Sequence, residues 1–333
     1  MPKWKTARGP QERKNTQKLA EALNVSSYKP DLPRLTESNV IRHESAQPGR
    51  STIAMSRRLT LGYSTCPNDT FLFYALAHKK VDCGDLDFDI TLADVETLNQ
   101  DARSGTFDTS KLSFAAIGHL QDTYGLLRSG AALGRGCGPL IITRPGFDPA
   151  RLSSVKIAVP GLWTTACMLL GLYLEDPPDV VPMTFDRIMP AVAAGEYEAG
   201  VIIHEGRFTF GNYGLERLAD LGEWWEEKTG LPIPLGGIAI RRDLGQDVAR
   251  VAERAIRDSV ACAFADRNAP APYIRKYAQE MEDAVVQQHI DLYVNDFTLN
   301  LGPEGEKAVE TLFRLAGTYG LIPRADAPLF ACQ

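Results

Sequence analysis

Short apolar runs of strand length alternate with stretches of helical periodicity from Leu59 onward. This alternation is typical of β-α-β units, so it predicts an α/β fold built around mainly parallel sheets. A compact β-α-β-α-β block is expected at about residues 155–204. The strand candidates are LTLGYS, DFDITLAD, KLSFAA, VKIAVP, VPMTF and AGVIIH, and the principal helix candidates are DTFLFYALAH, TTACMLLGLYL and RIMPAVAAGEYE.

Two Gly-opened apolar segments resemble each other, GPLIITR from Gly138 and GGIAIRR from Gly236. We interpret them as the two crossings between lobes, because they bracket the compact middle block. Lobe one then comprises residues 59–144 plus 240–333, and lobe two comprises residues 145–239. This arrangement predicts a binding cleft between the lobes.

Charge is distributed unevenly along the chain. Residues 1–58 hold twelve Lys and Arg against five Asp and Glu, a net charge of +7. Because the whole chain has a net charge of −6, the remainder carries −13. An acidic body argues against a nucleic-acid or anionic membrane partner, which would need clustered cations. Residues 1–55 are rich in Pro, Ser, Gln, Lys and Arg, and we predict that they form a disordered extension.

The six cysteines are widely spaced, without a C-x-x-C pair or a companion histidine at metal-ligand spacing, which argues against a zinc site. Several lie within apolar runs, as reduced thiols do in a cytoplasmic protein. No run reaches the ~18 apolar residues of a membrane span, and no signal peptide is recognisable. We therefore predict a cytoplasmic location. The cysteines are Cys66, Cys83, Cys137, Cys167, Cys262 and Cys332.

His204 ends the apolar strand AGVII and opens the polar turn HEGRFTF. The carboxyl ends of strands are where open α/β sheets place ligands, so the imidazole is a candidate general base. A strand-end cap is the alternative. His119 and His289 lie in apolar helical patterns, where a satisfied core or boundary histidine is the commoner outcome.

The segment VPGLWTTACM joins a strand to an apolar helix that begins at Thr164 or Thr165. The first N–H groups of a helix lack partners, so they are suited to an anionic oxygen. A carboxylate fits better than a phosphate, because the chain has no P-loop. Simple N-capping by threonine is the alternative.

Polar residues also flank two strand ends in the predicted first lobe. In SKLSFAA, Lys111 would supply charge and Ser113 a hydroxyl to the cleft, although such a lysine is usually solvated. In CPNDT, Asn68 and Asp69 lie at the first strand-to-helix turn, with Asp69 a candidate N-cap. GRGCGP does not fit a dinucleotide fingerprint, and the serine-hydrolase elbow and the zinc-protease motif are absent from the sequence.

Long runs of the chain closely resemble the 1,4-dihydroxy-6-naphthoate synthases, enzymes of menaquinone synthesis by the futalosine route. The resemblance runs in order from about residue 59 to residue 323. It rests on GYSTCPNDTFLFYAL, ADVETLN, KLSFAA, RSGAALGRGCGPL, VPGLWTTA, FDRIMPAVAAGEYEAGVIIHEGRFTF, LGEWWEEKTGLPIPLGGIAIRRDL and YVNDF.

The resemblance implies a two-lobed type II periplasmic-binding-protein-like fold with a cleft between the lobes. It also implies conversion of cyclic dehypoxanthine futalosine to 1,4-dihydroxy-6-naphthoate, with release of a three-carbon fragment and with no metal or organic cofactor. The histidine of the IIHE motif is the implied proton acceptor. The implied residues are His204 as acceptor and, for the small carboxylate substrate, Lys111, Leu112, Ser113, Thr165 and Ala166.

Three other functions stay open at this point. Chorismate dehydratase has a similar fold and belongs to the same pathway, although the IIHE and CPNDT motifs resemble the synthase. A solute-binding protein would share the lobes without chemistry. A transcriptional effector domain would need a DNA-binding head, for which residues 1–55 offer one weak helix and no helix-turn-helix pattern. Arg135, Arg207 and Asn68 are further candidate contacts.

Overall fold

The structure is a computed structural model that describes residues 56–174, 179–278 and 282–332. The predicted disordered extension lies outside these described residues. The expected alternation of strands and helices is present from Arg57 onward. The strands are β1 (Arg57–Tyr63), β2 (Leu86–Leu92), β3 (Thr109–Ser113), β4 (Tyr124–Leu126), β5 (Ala132–Gly134), β6 (Leu140–Thr143), β7 (Ile157–Val159), β8 (Val180–Pro182), β9 (Ala199–Ile202), β10 (Glu216–Asp220) and β11 (Ile233–Arg241).

The helices lie between these strands and in the C-terminal quarter. They are α1 (Pro67–Ala77), α2 (Val95–Arg103), α3 (Phe114–His119), α4 (Thr165–Tyr173), α5 (Phe185–Ala194), α6 (Gly206–Thr209), α7 (Leu221–Thr229), α8 (Gln246–Ala265), α9 (Ala271–Tyr277), α10 (Asp283–Tyr293), α11 (Asp296–Leu299) and α12 (Gly302–Thr318). Short 3-10 turns occupy Pro149–Ser154, Phe210–Tyr213 and Arg242–Leu244.

The strands form two separate sheets. The first has the order β2-β1-β3-β11-β4, with β5 also paired to β11, and the second has the order β10-β6-β9-β7-β8. In each sheet three strands are parallel, β2-β1-β3 in the first and β9-β7-β8 in the second, and the other strands join antiparallel. The α/β class is confirmed, but the sheets are mixed rather than mainly parallel.

Strand pairing differs from the predicted placement of the two Gly-opened segments. β6 pairs with β9 and β10 of the second sheet, whereas β11 pairs with β3 of the first. The chain therefore passes between sheets at residues 135–139 and 221–232. A short apolar run favours a strand but carries no information about its long-range pairing partner, which explains the difference. The lobe ranges themselves stay a prediction. If lobes follow the sheets, β6 would move to lobe two and β11 to lobe one.

The two crossings touch each other backbone to backbone. A Cβ atom built on Gly138 would lie 2.2 Å from the backbone nitrogen of Gly222, and one built on Gly222 would lie 2.7 Å from the nitrogen of Gly138. Real side chains do not approach backbone so closely, so both positions need glycine for steric reasons.

The C-terminal helices complete the packing of the first sheet. α8 packs on α1, where the buried Ser259 hydroxyl donates to the carbonyl oxygen of Leu72 and accepts from the N–H of Leu76. One face of α12 is apolar and buried, with Val309, Leu312 and Ala316 each fully inaccessible. Burying a side chain such as that of Val309 or Leu312 stabilises the fold by about 1.5–3 kcal/mol. Among the described helices, none is both long enough and apolar enough to cross a bilayer.

Candidate active site

A partly open cavity of about 100 Å³ lies between the two sheets. Its walls come from the carboxyl ends of β1, β3 and β9, from the start of α4, and from α10. Carboxyl ends of strands are the edge at which α/β proteins bind ligands. The lining residues are Ser64, Asn68, Asp69, Val95, Lys111, Leu112, Ser113, Ala132, Cys137, Pro139, Thr164, Thr165, Ala166, Ile203, His204, Leu235, Gly236, His289 and Tyr293.

The structure brings all six residues predicted for the site to this one cavity. His204, Thr165 and Ala166 come from the second sheet and its helices, and Lys111–Ser113 come from β3 of the first. What each residue can offer a ligand depends on which of its donors and acceptors are left free by contacts within the protein.

The start of α4 keeps two donors open. Thr164 is the N-cap, and its hydroxyl accepts a hydrogen bond from the N–H of Cys167 at 3.2 Å. The backbone N–H groups of Thr165 and Ala166 have no acceptor within residues 56–174, 179–278 and 282–332. The Thr165 hydroxyl is already used, because it donates to the carbonyl oxygen of Leu235 at 2.6 Å. A ligand anion here would therefore meet backbone donors and the helix dipole.

Lys111 is not a free cation. Its Nζ lies 2.5 Å from Oδ1 of Asp69, and the two side chains are only 6% and 3% exposed. The other Asp69 oxygen accepts hydrogen bonds from the N–H and hydroxyl of Ser64. Asp69 therefore neutralises Lys111, which weakens the predicted role of this lysine as an unpaired charge for the ligand.

The predicted N-cap role of Asp69 is wrong. α1 begins at Pro67 with Cys66 as its N-cap residue, so Asp69 lies within the first turn. The cause is Pro67, whose fixed φ suits the first helical position and starts the helix two residues earlier than expected. The carboxylate is thereby turned into the cavity wall instead of back onto the helix end.

Ser113 offers one unused hydrogen. Its backbone N–H donates to Oδ1 of Asn99, and its hydroxyl oxygen accepts from Nδ2 of the same residue at 3.1 Å. The hydroxyl proton remains free to donate to a ligand. Leu112 is fully buried and contributes only apolar surface.

His204 follows β9 in a strained backbone conformation. Its φ is 55°, and among the described residues only Lys79 is another non-glycine residue with positive φ. Such conformations cost about 1–3 kcal/mol and concentrate at functional positions. The half-buried ring lies with Nδ1 3.4 Å from Sγ of Cys66 and with its centroid 5.2 Å from that of Phe185.

The pKa of His204 is raised to about 9. Burial acts to lower it, but electrostatic attraction to Cys66, the hydrogen bond with Cys66, and the charges of Glu205 and Asp94 together outweigh burial. This value lies above the near-neutral pKa expected for a free imidazole. In the free protein at neutral pH the ring is therefore an imidazolium, which must lose a proton before it can act as a base.

Two arginines named as further candidate contacts serve the structure instead. Arg207 donates to Oδ2 of Asp220 at 2.5 Å and to the carbonyl oxygen of Gly138. Arg135 pairs with Glu304 at 2.9 Å. Neither lines the cavity, whereas the third candidate, Asn68, does.

Sequence reasoning did not assign His289 to the site. His289 was expected to be a satisfied core or boundary histidine; it is fully buried, but it lines the cavity. Its ring is parallel to that of His204, with centroids 6.1 Å apart. The available signal was its position on the apolar stripe of α10, four residues before Tyr293, where a polar side chain needs a partner or a ligand.

The described residues contain no group of three or more His, Cys, Asp or Glu side chains placed to hold a metal ion. Two contacts join titratable groups at the site, Lys111 with Asp69 and His204 with Cys66.

Comparison with known folds places the chain among two-lobed proteins. It superposes on the CA3427 gene product of Candida albicans, described as having the generic periplasmic binding protein structural fold, with a TM-score of 0.61. The two share 11% identity, and the match covers 81% of this chain and 92% of that one. At this identity the likeness shows the fold alone. The chain thus has a periplasmic-binding-protein-like fold, with the cavity between its two sheets.

Sequence comparison identifies much nearer relatives. The family described as menaquinone biosynthesis matches residues 59–318. A protein of Thermus thermophilus named 1,4-dihydroxy-6-naphthoate synthase is 49% identical, with 82% of this chain and 98% of the relative covered. A protein of the same name from Streptomyces coelicolor is 47% identical, with 80% and 95% covered. The chain therefore belongs to the menaquinone-biosynthesis family and, like these relatives, is an enzyme of that pathway.

Proposed function

We propose that the chain is a carbon–carbon lyase that converts cyclic dehypoxanthine futalosine to 1,4-dihydroxy-6-naphthoate, with His204 as the proton acceptor. The observation that carries the proposal is that His204 and the helix start at Thr165 and Ala166, with its open N–H groups, line one cavity. The names of the two relatives support the product, and the cavity supports the assignment of roles.

The substrate carboxylate binds at the start of α4 in this proposal. The two adjacent backbone donors of Thr165 and Ala166 can hydrogen-bond to the oxygens of a carboxylate. The dipole of α4 adds favourable electrostatics at this end, and Ser113 can donate a third hydrogen bond. Lys111 contributes little net charge, because Asp69 already neutralises it.

His204 then removes one proton next to a carbonyl of the spiro ring. The electron pair left behind drives ring opening, the three-carbon fragment leaves, and the remaining ring becomes aromatic. A positioned base of this kind contributes roughly 100- to 10,000-fold to the rate. The mostly apolar wall of the cavity limits the water around the intermediate.

The decisive experiment compares His204→Ala with the wild type on purified protein given cyclic dehypoxanthine futalosine. We expect turnover to fall about 100- to 10,000-fold while product still binds, because the anchor at α4 is intact. The matched control is His78→Ala, which removes an exposed histidine at the end of α1, outside the cavity, and should leave turnover unchanged. Undiminished turnover in His204→Ala would remove this residue from the mechanism.

The same assay separates the alternatives. Product formed from chorismate instead would identify a chorismate dehydratase, and ligand recovered unchanged after long incubation would indicate a binding protein. The cytoplasmic location and the absence of nucleic-acid and membrane partners stay predictions from the sequence.

A further inference from the structure

His289 has a defined tautomer. Its Nε2 lies 2.9 Å from Oδ1 of Asn68. The Asn68 amide is oriented by Asp69, because Nδ2 of Asn68 donates to Oδ1 of Asp69 at 2.9 Å and a carboxylate can only accept. Oδ1 of Asn68 is therefore an acceptor, and Nε2 of His289 must carry the hydrogen. A chain of hydrogen bonds from Lys111 through Asp69 and Asn68 thus fixes the ring.

The other ring nitrogen, Nδ1, is then an unprotonated acceptor. It is buried and has no hydrogen-bond partner among the described residues. Burial lowers the pKa of His289 well below its usual value, and the nearby charges of His204 and Lys111 lower it further, so the ring stays neutral. An unsatisfied buried acceptor costs about 1–3 kcal/mol, which is unusual in a residue that serves only packing.

We propose that Nδ1 of His289 is a substrate contact that accepts a hydrogen bond from a hydroxyl of the bound ligand. A lone pair repels a carboxylate, so this nitrogen cannot share the role of the N–H groups at the start of α4. The cavity then has two unlike poles, donors for the carboxylate and one acceptor for a hydroxyl. The inference rests on the proposed function, because it takes the ligand to be a hydroxylated aryl carboxylate.

Two substitutions separate the ring nitrogens. His289→Gln keeps a donor near the Nε2 position for Asn68 but lacks an acceptor at Nδ1. His289→Asn keeps an oxygen acceptor near the Nδ1 position but loses the contact with Asn68. Both are compared with wild type by titration with two ligands under anaerobic conditions, 1,4-dihydroxy-6-naphthoate and 2-naphthoate, the same aryl carboxylate without hydroxyls.

We expect wild type to prefer the dihydroxy ligand, and His289→Gln to lose about 3- to 10-fold of that preference, the contribution of one neutral hydrogen bond. His289→Asn should retain more of the preference than His289→Gln. An equal loss of affinity for both ligands in His289→Gln would show a structural role and overturn the inference, while leaving the proposed function intact. Absence of binding of either ligand to wild type would overturn the proposed function and the inference together.

A measurement on the wild-type protein does not depend on how the variants fold. In ¹⁵N NMR of protein labelled at its histidine rings, the unprotonated Nδ1 of His289 should shift upfield when it accepts a hydrogen bond. We expect this shift with 1,4-dihydroxy-6-naphthoate and not with 2-naphthoate. The same response to both ligands would overturn the inference.

Discussion

His204 and His289 face one cavity with parallel rings, yet their surroundings shift their pKa values in opposite directions. His204 lies on a strained turn beside Cys66 and is stabilised as a cation. His289 lies on a helix and is fully buried; burial and the charges of His204 and Lys111 lower its pKa, while Asn68 fixes its tautomer. The comparison teaches that burial and neighbouring groups, rather than a shared place on one cavity wall, decide whether a histidine can donate or accept a proton.

The largest expected effect concerns the hydrogen-bond chain that runs from Lys111 through Asp69 and Asn68 to His289. Asp69→Asn leaves the buried Lys111 without its counter-ion, so we expect the free energy of unfolding to fall by about 3–5 kcal/mol. Urea denaturation followed by circular dichroism measures the change.

The matched control for Asp69→Asn is Asp89→Asn, which breaks the ion pair of Asp89 with Arg58. These side chains are 48% and 71% exposed, so the expected cost is below about 1 kcal/mol. Equal effects of the two substitutions would show that the Lys111–Asp69 pair is not a buried charge pair of the folded protein.

The next largest effect concerns His204 and its partner Cys66. Because a base must be unprotonated, kcat/KM should rise about tenfold per pH unit from neutrality and level off near the pKa of about 9. Cys66→Ala removes the partner that raises the pKa of His204, so the rise should move to lower pH. Measuring kcat/KM against pH for wild type and for Cys66→Ala gives the position of the rise in each protein. A rise that stays in place in Cys66→Ala would contradict this account of the pair.

The raised pKa of His204 also has a consequence for stability. The folded protein binds the proton more tightly than the unfolded chain, whose histidine has a pKa near 6.5. The resulting stabilisation is complete below about pH 6.5 and is lost as the pH rises through about 9.

The smallest expected effect is that of Asn68→Ala. Loss of the partner of Nε2 frees His289 to change tautomer, so affinity for 1,4-dihydroxy-6-naphthoate should weaken about 3- to 10-fold. The pH at which kcat/KM levels off should not move, because Asn68 is not among the groups that shift the pKa of His204. Titration with ligand together with the pH profile tests both statements, and a shifted pH profile would show that Asn68 also acts on His204.

Much of the fold follows from local pattern, since the strands and helices around residues 155–204 lie where apolar periodicity predicted them. Local pattern did not predict the sheet to which β6 or β11 belongs, because strand pairing is decided by contacts distant in sequence. In the site, motif resemblance named residues that do meet in space. It did not reveal that Asp69 neutralises Lys111, or that His289 keeps an acceptor open, because both depend on side-chain partners from other elements.

The contact between Gly138 and Gly222 bears on how the cavity admits a ligand. With no side chain between them, the two crossings lie in backbone contact. We expect this contact to act as a hinge when the two sheets move apart. A methyl group at either glycine would collide with the backbone of the other crossing, so we expect such a substitution to push the crossings apart beside Cys137 and Pro139, which line the cavity.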